Sequence, residues 1–203
     1  MTAGGALKWF KDLFGEVDSS TYRNLDKEAI EADPGSKGLL FLPYLNGERC
    51  PYNDPDARGA FIGLSLQHTK AHMIRSVLEG VAFGLRNISD LIIRLDGAPQ
   101  NMFLSGGGAN SNLWRQIITD IFNVNVITMK NAAYGGAFGA ALIAGTSVGI
   151  WPSIEEAAKV LAVETQNRPI KKNVDIYDEL YQLYHNLYNS LATNFKQIAD
   201  LKL

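Results

Sequence analysis

Cysteine is almost absent from this chain of 203 residues, because Cys50 is its single copy. A lone cysteine excludes a disulfide within the chain. The first thirty residues also lack the basic, apolar and small-residue segments of a secretory signal. A reducing cytoplasm is therefore the expected location.

Charge of one sign is lacking as well. The 19 Lys and Arg residues against 21 Asp and Glu give a net charge of −2, and no block of like charges occurs. A footprint for nucleic acid or for an anionic membrane is therefore missing, and we expect neither as a partner. The hydrophobic share of 46% is ordinary for a globular protein, which excludes a disordered or coiled-coil chain.

Long apolar runs are also missing. Residues 131–154 carry no charge, but several glycines together with Thr146, Ser147 and Pro152 interrupt the stretch, so it is not expected to span a membrane. His68 and His72 stand four residues apart at the start of a predicted helix, yet no third ligand lies near them in the sequence. A metal site is therefore not expected.

Hydrophobic periodicity predicts alternating strands and helices, which is typical of an α/β protein. Strands are predicted at 38–45 (one strand or a pair), 60–66, 102–104 and 124–129. Helices are predicted immediately after Gly4-Gly5 with Phe14 on the apolar face, at 69–95, from Leu113 onward, at 135–144, at 153–162 with a Ser153…Glu156 capping box, and at 176–198. The polar stretch 15–37 is assigned no element, and a long loop occupies 46–59.

The strongest local signal is a glycine loop between a strand and a helix. Gly106-Gly107-Gly108 follows residues 102–104 and precedes the helix that begins near Leu113. Residues without a Cβ let a ligand approach the backbone, and the helix N-terminus favours anions. The pattern indicates a phosphate or nucleotide cradle, with a tight turn packed closely on the helix as the alternative.

Two common nucleotide motifs do not fit this loop. No Gly-Lys-Ser/Thr follows it, as a P-loop requires, and Ser111 stands where a dinucleotide fingerprint has its third glycine. The next strand ends at Lys130 instead of an acidic residue that would bind a ribose. A dinucleotide-dependent oxidoreductase is therefore disfavoured.

Two further groups of residues have plain structural explanations. The long loop carries charged side chains that can contact Mg²⁺ or phosphate, although pairing with one another on a rim is favoured; they are Glu48, Arg49, Asp54, Asp56 and Arg58. The tyrosines at 177, 181, 184 and 188 are predicted to form the partly buried flank of the last helix, not a base-stacking platform.

Several segments together resemble the FGGY family of carbohydrate kinases. The run Gly59-Ala-Phe-Ile-Gly63-Leu64, followed by His72-Met-Ile-Arg-Ser76-Val-Leu-Glu79, is similar to the second signature of that family at each defining position. The surrounding segments are also similar to its carboxy-terminal domain: GGALKWFKD at 4–12, GERCPYNDPDARG at 47–59, LEGVAFGLR at 78–86, SGGGANSNLWRQ at 105–116 and FGAALIAG at 138–145. Within the family, xylulokinases resemble the chain most, followed by gluconate kinases and other pentulose kinases.

The resemblance implies an α/β, actin-like ATPase domain of the ribonuclease-H-like type, with a mixed sheet flanked by helices over residues 1–203. It also implies ATP and Mg²⁺ as cofactors, and a nucleotide bound by Gly107, Gly108, Ala109, Ser111 and Asn112, with Gly4, Gly5 and Lys8 on the opposite wall. In the family, the catalytic aspartate lies in an amino-terminal sugar-binding domain, which this chain does not include, so no catalytic residue is assigned here. Relatives often have an acidic residue near Ala133-Tyr134-Gly135, which leaves the purine contacts open.

The leading hypothesis is therefore the ATP-binding half of a sugar kinase, most like a xylulokinase that forms xylulose 5-phosphate, belonging to a longer parent chain and inactive alone. The partners would be ATP and, through the other domain, a small-molecule sugar. A gluconate kinase or another sugar kinase of the family is one alternative. A non-catalytic nucleotide-binding module that forms a homodimer through its apolar helix faces is another.

Overall fold

The computed structural model describes residues 3–13, 21–130 and 134–201. The seven helices of this part are α1 (Ala3–Leu13), α2 (Thr21–Ile30), α3 (Lys70–Asp96), α4 (Asn112–Phe122), α5 (Gly135–Ser147), α6 (Ile154–Ala158) and α7 (Lys171–Asp200). The strands are β1 (Leu40–Leu42), β2 (Ala60–Ile62), β3 (Asn101–Phe103), β4 (Asn125–Met129) and β5 (Val163–Asn167). Short 3-10 helices occupy Ser36–Gly38 and Gly107–Asn110. No helix among the described residues is both long and apolar enough to cross a membrane.

The strands form two sheets. β1 and β2 pair antiparallel, with Phe41 opposite Phe61. In the second sheet β4 is central: β3 runs parallel to it and β5 antiparallel. The predicted mixed sheet flanked by helices is therefore observed, and every residue of β1 is buried, as its continuous apolar sequence indicates.

The long helix α3 lies at the centre of the core. It begins at a capping box in which the Thr69 side chain and the His72 ring each accept a backbone N–H of the other residue. It ends before Gly97, whose φ of 82° suits a residue without a Cβ. At Gly80 the helix backbone packs directly on β1, because a Cβ there would lie 2.1 Å from the carbonyl oxygen of Phe41.

Helix α7 completes this core with aromatic side chains. Tyr177, Tyr181 and Tyr184 are buried, and the ring of Phe83 on α3 lies 5.2 to 6.0 Å from their ring centroids. The prediction of a partly buried tyrosine flank was therefore wrong for these three, and only Tyr188 is half-buried. Phe83 lies about one hundred residues earlier in the chain, so α3 and α7 depend on each other for burial.

Most predicted elements are present, with differences at their ends. Helix α1 includes Gly4-Gly5 instead of starting after them, because burial of Ala6, Leu7 and Phe10 stabilises the helix despite its glycines. β2 stops before Gly63, whose φ is 94°. α6 is shorter than predicted, although Ser153 does cap it by accepting the N–H of Glu156. α2 and β5 were not predicted, and Phe14 lies outside the described residues.

Candidate functional site

A cleft of about 1060 Å³ opens between the glycine loop and the helices α1 and α2. Its floor is apolar and its rim carries polar and charged groups. The lining residues are Gly4 and Leu7 of α1, Tyr22, Arg23 and Asp26 of α2, Val81 and Leu85 of α3, Leu104, Ser105, Gly107, Gly108, Asn110 and Ser111 of the loop, and Trp114 and Ile118 of α4. A large concave site with a few polar groups is typical of a small-molecule site.

The glycine loop turns the chain from β3 into α4. Gly106 has a φ of 85°, which allows the sharp turn, and its carbonyl accepts the N–H of Ala109 at 3.0 Å. The hydroxyl of Ser111 accepts the N–H of Trp114 at 3.0 Å and so caps α4. The loop thereby places the N-terminus of α4, which carries the positive end of the helix dipole, at the cleft.

Gly107 and Gly108 differ in what surrounds them. A Cβ on Gly108 would lie 3.1 Å from two ring carbons of Trp114, so this glycine allows the loop to pack on α4. A Cβ on Gly107 would meet no atom within 4 Å, although Gly107 lines the cleft. The two glycines thus have different surroundings: Gly108 serves packing on α4, and Gly107 leaves its backbone exposed at the cleft.

The opposite wall comes from α1 and α2. Gly4 lines the cleft, and a Cβ there would also meet no atom within 4 Å. Sequence reasoning missed the contribution of α2, although Leu25, Ala29 and Ala32 are buried at the four- and three-residue steps of a helix. That spacing was the signal that could have revealed a helix here, although not its place in the cleft.

Asp26 is the one acidic side chain among the described residues that line this cleft. Its side chain is half-buried, and burial raises the pKa of the carboxyl above its usual value. The neighbouring Ser111 hydroxyl and the Arg115 guanidinium act in the opposite direction on that pKa. Asp26 therefore lies close to Ser111, which caps the start of α4.

The remaining predicted residues lie at the edge of the cleft or outside its lining. Ala109 is buried, and its carbonyl accepts Arg115 Nη1 at 2.5 Å, while Asn112 Oδ1 accepts Nη2 of the same guanidinium at 3.2 Å. Gly5 is exposed on α1. Lys8 is exposed too and pairs with Asp12 at 2.6 Å. The structure thus brings together Gly4, Gly107, Gly108 and Ser111.

The long loop 46–59 does not contribute to the described lining of the cleft. The Glu48 carboxylate accepts the backbone N–H groups of Arg49 and Cys50, at 2.8 and 3.1 Å. Asp54 accepts the N–H of Asp56 and the hydroxyl of Tyr188, both at 2.8 Å, and Tyr52 stacks on the Tyr188 ring. The Arg58 guanidinium donates to the carbonyls of Pro55 and Ala57. These bonds order the loop and attach it to α7.

His68 and His72 each accept a hydrogen bond from a backbone N–H group. His72 Nδ1 accepts the N–H of Thr69 at 3.2 Å, and His68 Nδ1 accepts that of Ser65 at 2.9 Å. Across residues 3–13, 21–130 and 134–201, no group of three or more His, Cys, Asp or Glu side chains could hold a metal ion.

A second cavity of about 220 Å³ lies beside the loop. Ser105 and Gly135 line it, and a Cβ on Gly135 would lie 3.3 Å from the Ser105 hydroxyl oxygen. Phe138 and Lys130 line it as well. Of the segment expected near a purine, Tyr134 is exposed and Gly135 half-buried, while Ala133 lies outside the described residues.

Comparison with known families decides the relationship. The family model for the FGGY family of carbohydrate kinases, C-terminal domain, matches residues 1–148. The chain belongs to this family. The resemblance in the sequence is thereby confirmed.

Relatives within the FGGY family include both xylulose kinases and gluconokinases. A xylulose kinase of Staphylococcus epidermidis is 38% identical over 190 residues, covering 93% of this chain and 38% of the relative. A gluconokinase of Bacillus subtilis is 34% identical over 206 residues, covering 97% of this chain and 40% of the relative. The chain therefore spans about two fifths of the length of the FGGY kinases that it matches.

Solved structures of FGGY kinases have the same fold. The ligand-bound xylulose kinase of Lactobacillus acidophilus superposes with a TM-score of 0.82 at 31% identity, covering 96% of this chain and 39% of that one. A Plasmodium falciparum glycerol kinase with ADP, at 23% identity and a TM-score of 0.71, shares the fold. The chain is thus an α/β domain of the actin-like ATPase fold.

Proposed function

We propose that this chain is the ATP-binding half of a sugar kinase, and that its parent phosphorylates a pentulose. The sugar we propose is D-xylulose, with xylulose 5-phosphate as product. Relatives named xylulose kinase in Staphylococcus epidermidis and Lactococcus lactis, at 38% and 34% identity, support this choice. A gluconokinase is also 34% identical, so gluconate is the alternative substrate.

The open face of Gly107 carries the proposal of a nucleotide site. The space that a Cβ would fill is free, the backbone of the loop lines the cleft, and the capped N-terminus of α4 follows directly. Backbone N–H groups and a helix N-terminus bind phosphate oxygens without any basic side chain. We therefore place the phosphates of ATP at Gly107, with Ala109 and Asn112 supporting the loop through Arg115.

Magnesium would arrive with the nucleotide. Mg²⁺ is commonly held by substrate phosphates with one or two carboxylates and several waters. Among the described residues, no group of three or more His, Cys, Asp or Glu side chains could hold the ion. Bound to the phosphates, it would neutralise charge on the transferred phosphoryl group.

The chain's own contribution to the reaction would be positioning. Gly107 and the start of α4 would hold the phosphates, and the apolar floor made by Val81, Leu85 and Trp114 would exclude water beneath them. The group that deprotonates the sugar hydroxyl would be the aspartate of an amino-terminal domain. We therefore expect the isolated chain to bind nucleotide without transferring the phosphoryl group to a sugar.

Calorimetric titration with Mg-ADP tests the nucleotide site. We expect saturable binding by the chain, loss of binding in Gly107→Leu, and unchanged binding in Gly136→Leu. Gly136 is a matched control because a Cβ there also meets no atom within 4 Å, but the residue lies outside the cleft lining. Binding that survives Gly107→Leu would contradict the proposed phosphate position, and preferential binding of NAD would indicate a dinucleotide protein.

Turnover assays test the division of labour and the sugar. The isolated chain should release no ADP when D-xylulose is added, whereas the complete parent protein should release it faster with D-xylulose than with gluconate. Sugar-dependent turnover by the isolated chain would refute the need for a second domain. If the parent protein prefers gluconate, it is a gluconokinase instead.

The homodimer is a separate proposal. Three apolar side chains near the end of α3, Leu91, Ile92 and Leu95, are exposed, and such residues favour association. Light scattering should then give twice the mass of one chain, and a monomer at all concentrations would exclude the dimer. The cytoplasmic location stays a prediction.

A further inference from the structure

One carboxylate in the cleft has no part in the phosphate contacts proposed above. Asp26 lies on α2 and lines the cleft as a half-buried side chain. The next acidic residue on that helix, Glu28, pairs with Lys70 of α3 at 3.0 Å and is absent from the cleft lining. The two carboxylates of α2 thus have different surroundings, and of the two only Asp26 lines the cleft.

Asp26 lies one short helix away from the proposed phosphate position. The 3-10 helix Gly107–Asn110 separates Gly107 from Ser111, and four residues at about 2.0 Å each span about 8 Å. The Ser111 hydroxyl and the Arg115 guanidinium are both close enough to Asp26 to affect its carboxyl. A nucleotide whose phosphates lie at Gly107 would therefore have its ribose within reach of Asp26.

The chemistry of a carboxylate limits what it can bind. An ionised carboxylate only accepts hydrogen bonds, and it repels phosphate oxygens. The donors of a nucleotide are its two ribose hydroxyls and any amino group of its base. Of these, the ribose hydroxyls are nearer to the phosphates, and two adjacent hydroxyls can both donate to the two oxygens of one carboxylate.

We propose that Asp26 accepts hydrogen bonds from the ribose hydroxyls of the bound nucleotide, and so selects ribonucleotides over deoxyribonucleotides. This inference rests on the nucleotide site proposed above. It assigns orientation as well as specificity, because the phosphates lie at Gly107 and the ribose lies between α2 and Ser111. The acidic group also keeps the polyphosphate from binding in the reverse direction.

The competing explanation is structural. A carboxylate near a helix N-terminus stabilises that helix, so Asp26 could serve only α4. That role predicts that replacing Asp26 weakens the binding of all nucleotides to the same extent and lowers the unfolding midpoint. A bond to ribose predicts instead a loss that depends on the hydroxyls of the ligand.

Calorimetric titration with ADP, 2′-deoxy-ADP and 3′-deoxy-ADP distinguishes the structural role from a bond to ribose. Hydrogen bonds to a charged group typically change affinity by roughly tenfold to a hundredfold when one partner is removed. We expect wild-type chain to bind ADP at least tenfold more tightly than one or both deoxy ligands. In Asp26→Ala and in the isosteric Asp26→Asn the three affinities should converge, and the control Glu28→Gln should keep the wild-type preference.

Each result has a distinct meaning. Wild-type chain that binds ADP but does not distinguish the deoxy ligands overturns the role of Asp26 and leaves the nucleotide site intact. If the variants at Asp26 weaken the binding of all three ligands equally, Asp26 has only a structural role. Wild-type chain that binds none of them overturns the proposed function itself, and the inference with it.

Discussion

The hydroxyl of Tyr177 donates a hydrogen bond of 2.8 Å to the Glu79 carboxylate, which joins α7 to α3 across 98 residues of chain. The same carboxylate accepts the N–H of Gly35, the hydroxyl of Ser36 and Nε of Arg75, at 2.8 to 2.9 Å. Burial raises the pKa of this carboxyl, while the Arg75 guanidinium and the hydrogen bonds from Gly35, Tyr177 and Ser36 act in the opposite direction and favour its ionised form. Arg75 also donates to the carbonyl of Ala32, just beyond the C-terminal end of α2. The cluster therefore holds that end of α2, the helix that carries Asp26.

Removal of the Glu79 side chain should therefore destabilise the protein severely. Glu79→Ala leaves the Arg75 guanidinium buried without its counter-ion, and breaking a buried pair from one side costs about 3–5 kcal/mol. Tyr177→Phe removes one donor to the carboxylate and should cost about 1.5–3 kcal/mol. Urea unfolding monitored by circular dichroism measures the loss of stability in both variants.

An exposed ion pair provides the control for that experiment. Lys171 and Asp175 pair on the surface of α7, where solvent screens the interaction. Asp175→Asn should leave the unfolding midpoint unchanged. If Glu79→Ala proves as mild as this control, the buried cluster does not hold α2, α3 and α7 together.

The two adjacent glycines should separate stability from binding. Gly108→Ala brings a methyl group within 3.1 Å of the Trp114 ring, and overpacking of this kind costs about 1–3 kcal/mol. Gly107→Ala adds a methyl group in open space, so stability should change by less than about 0.5 kcal/mol. Thermal unfolding of both variants checks the contrast, and equal destabilisation would mean that Gly107 is also packed.

Stability should fall on acidification through His72. Burial, together with Lys37 and His68, lowers the pKa of His72, while Asp33 acts in the opposite direction. The unfolded chain therefore binds this proton more tightly than the folded chain, so the free energy of unfolding decreases as the pH falls below about 6.5. Protonation also removes the acceptor that receives the Thr69 N–H.

Urea unfolding between about pH 7 and about pH 5 tests this histidine. His72→Gln keeps an acceptor at the third position of the helix but does not titrate in that interval, so its stability should depend less on pH than that of the wild type. His68→Gln serves as the control and should keep most of the wild-type slope. An unchanged slope in His72→Gln would assign the effect to other groups.

Tyr188 should protect the long loop 46–59 from proteolysis. Its ring stacks on Tyr52 with centroids 3.5 Å apart, and its hydroxyl bonds to Asp54. An aromatic pair contributes about 0.5–1.5 kcal/mol, so Tyr188→Ala should raise the open population, and tryptic cleavage after Arg49, roughly two- to tenfold. Tyr188→Phe keeps the stack and should be cleaved more slowly than Tyr188→Ala. Equal cleavage of all three proteins would show that the loop is held elsewhere.

The sequence predicted the elements whose periodicity is strong. The apolar stripe from Met73 to Ile92 predicted α3 nearly to its ends, and Ser153 was predicted as a cap and is one. The strand, glycine loop and helix unit around Gly107 was also predicted and confirmed. In each case the local pattern and the tertiary contacts favour the same structure.

The parts that were missed depend on tertiary packing. β5 has the sequence Val163-Glu-Thr-Gln-Asn167 with a single aliphatic side chain, so only pairing with β4 makes it a strand. α2 is polar apart from a narrow stripe, and its place in the cleft follows from contacts with α3 that no local pattern encodes. Asp26 therefore could not be assigned to the cleft from its neighbours in sequence.

The order in which the chain is synthesised gives α7 a further consequence. The family match ends at residue 148, yet Tyr177, Tyr181 and Tyr184 fill the core against Phe83. A nascent chain therefore cannot close its core until the last helix has left the ribosome, and until then the face of α3 around Phe83 is accessible to chaperones. A chain truncated before Tyr177 would therefore leave this face of α3 uncovered, even though every residue of the glycine loop is present.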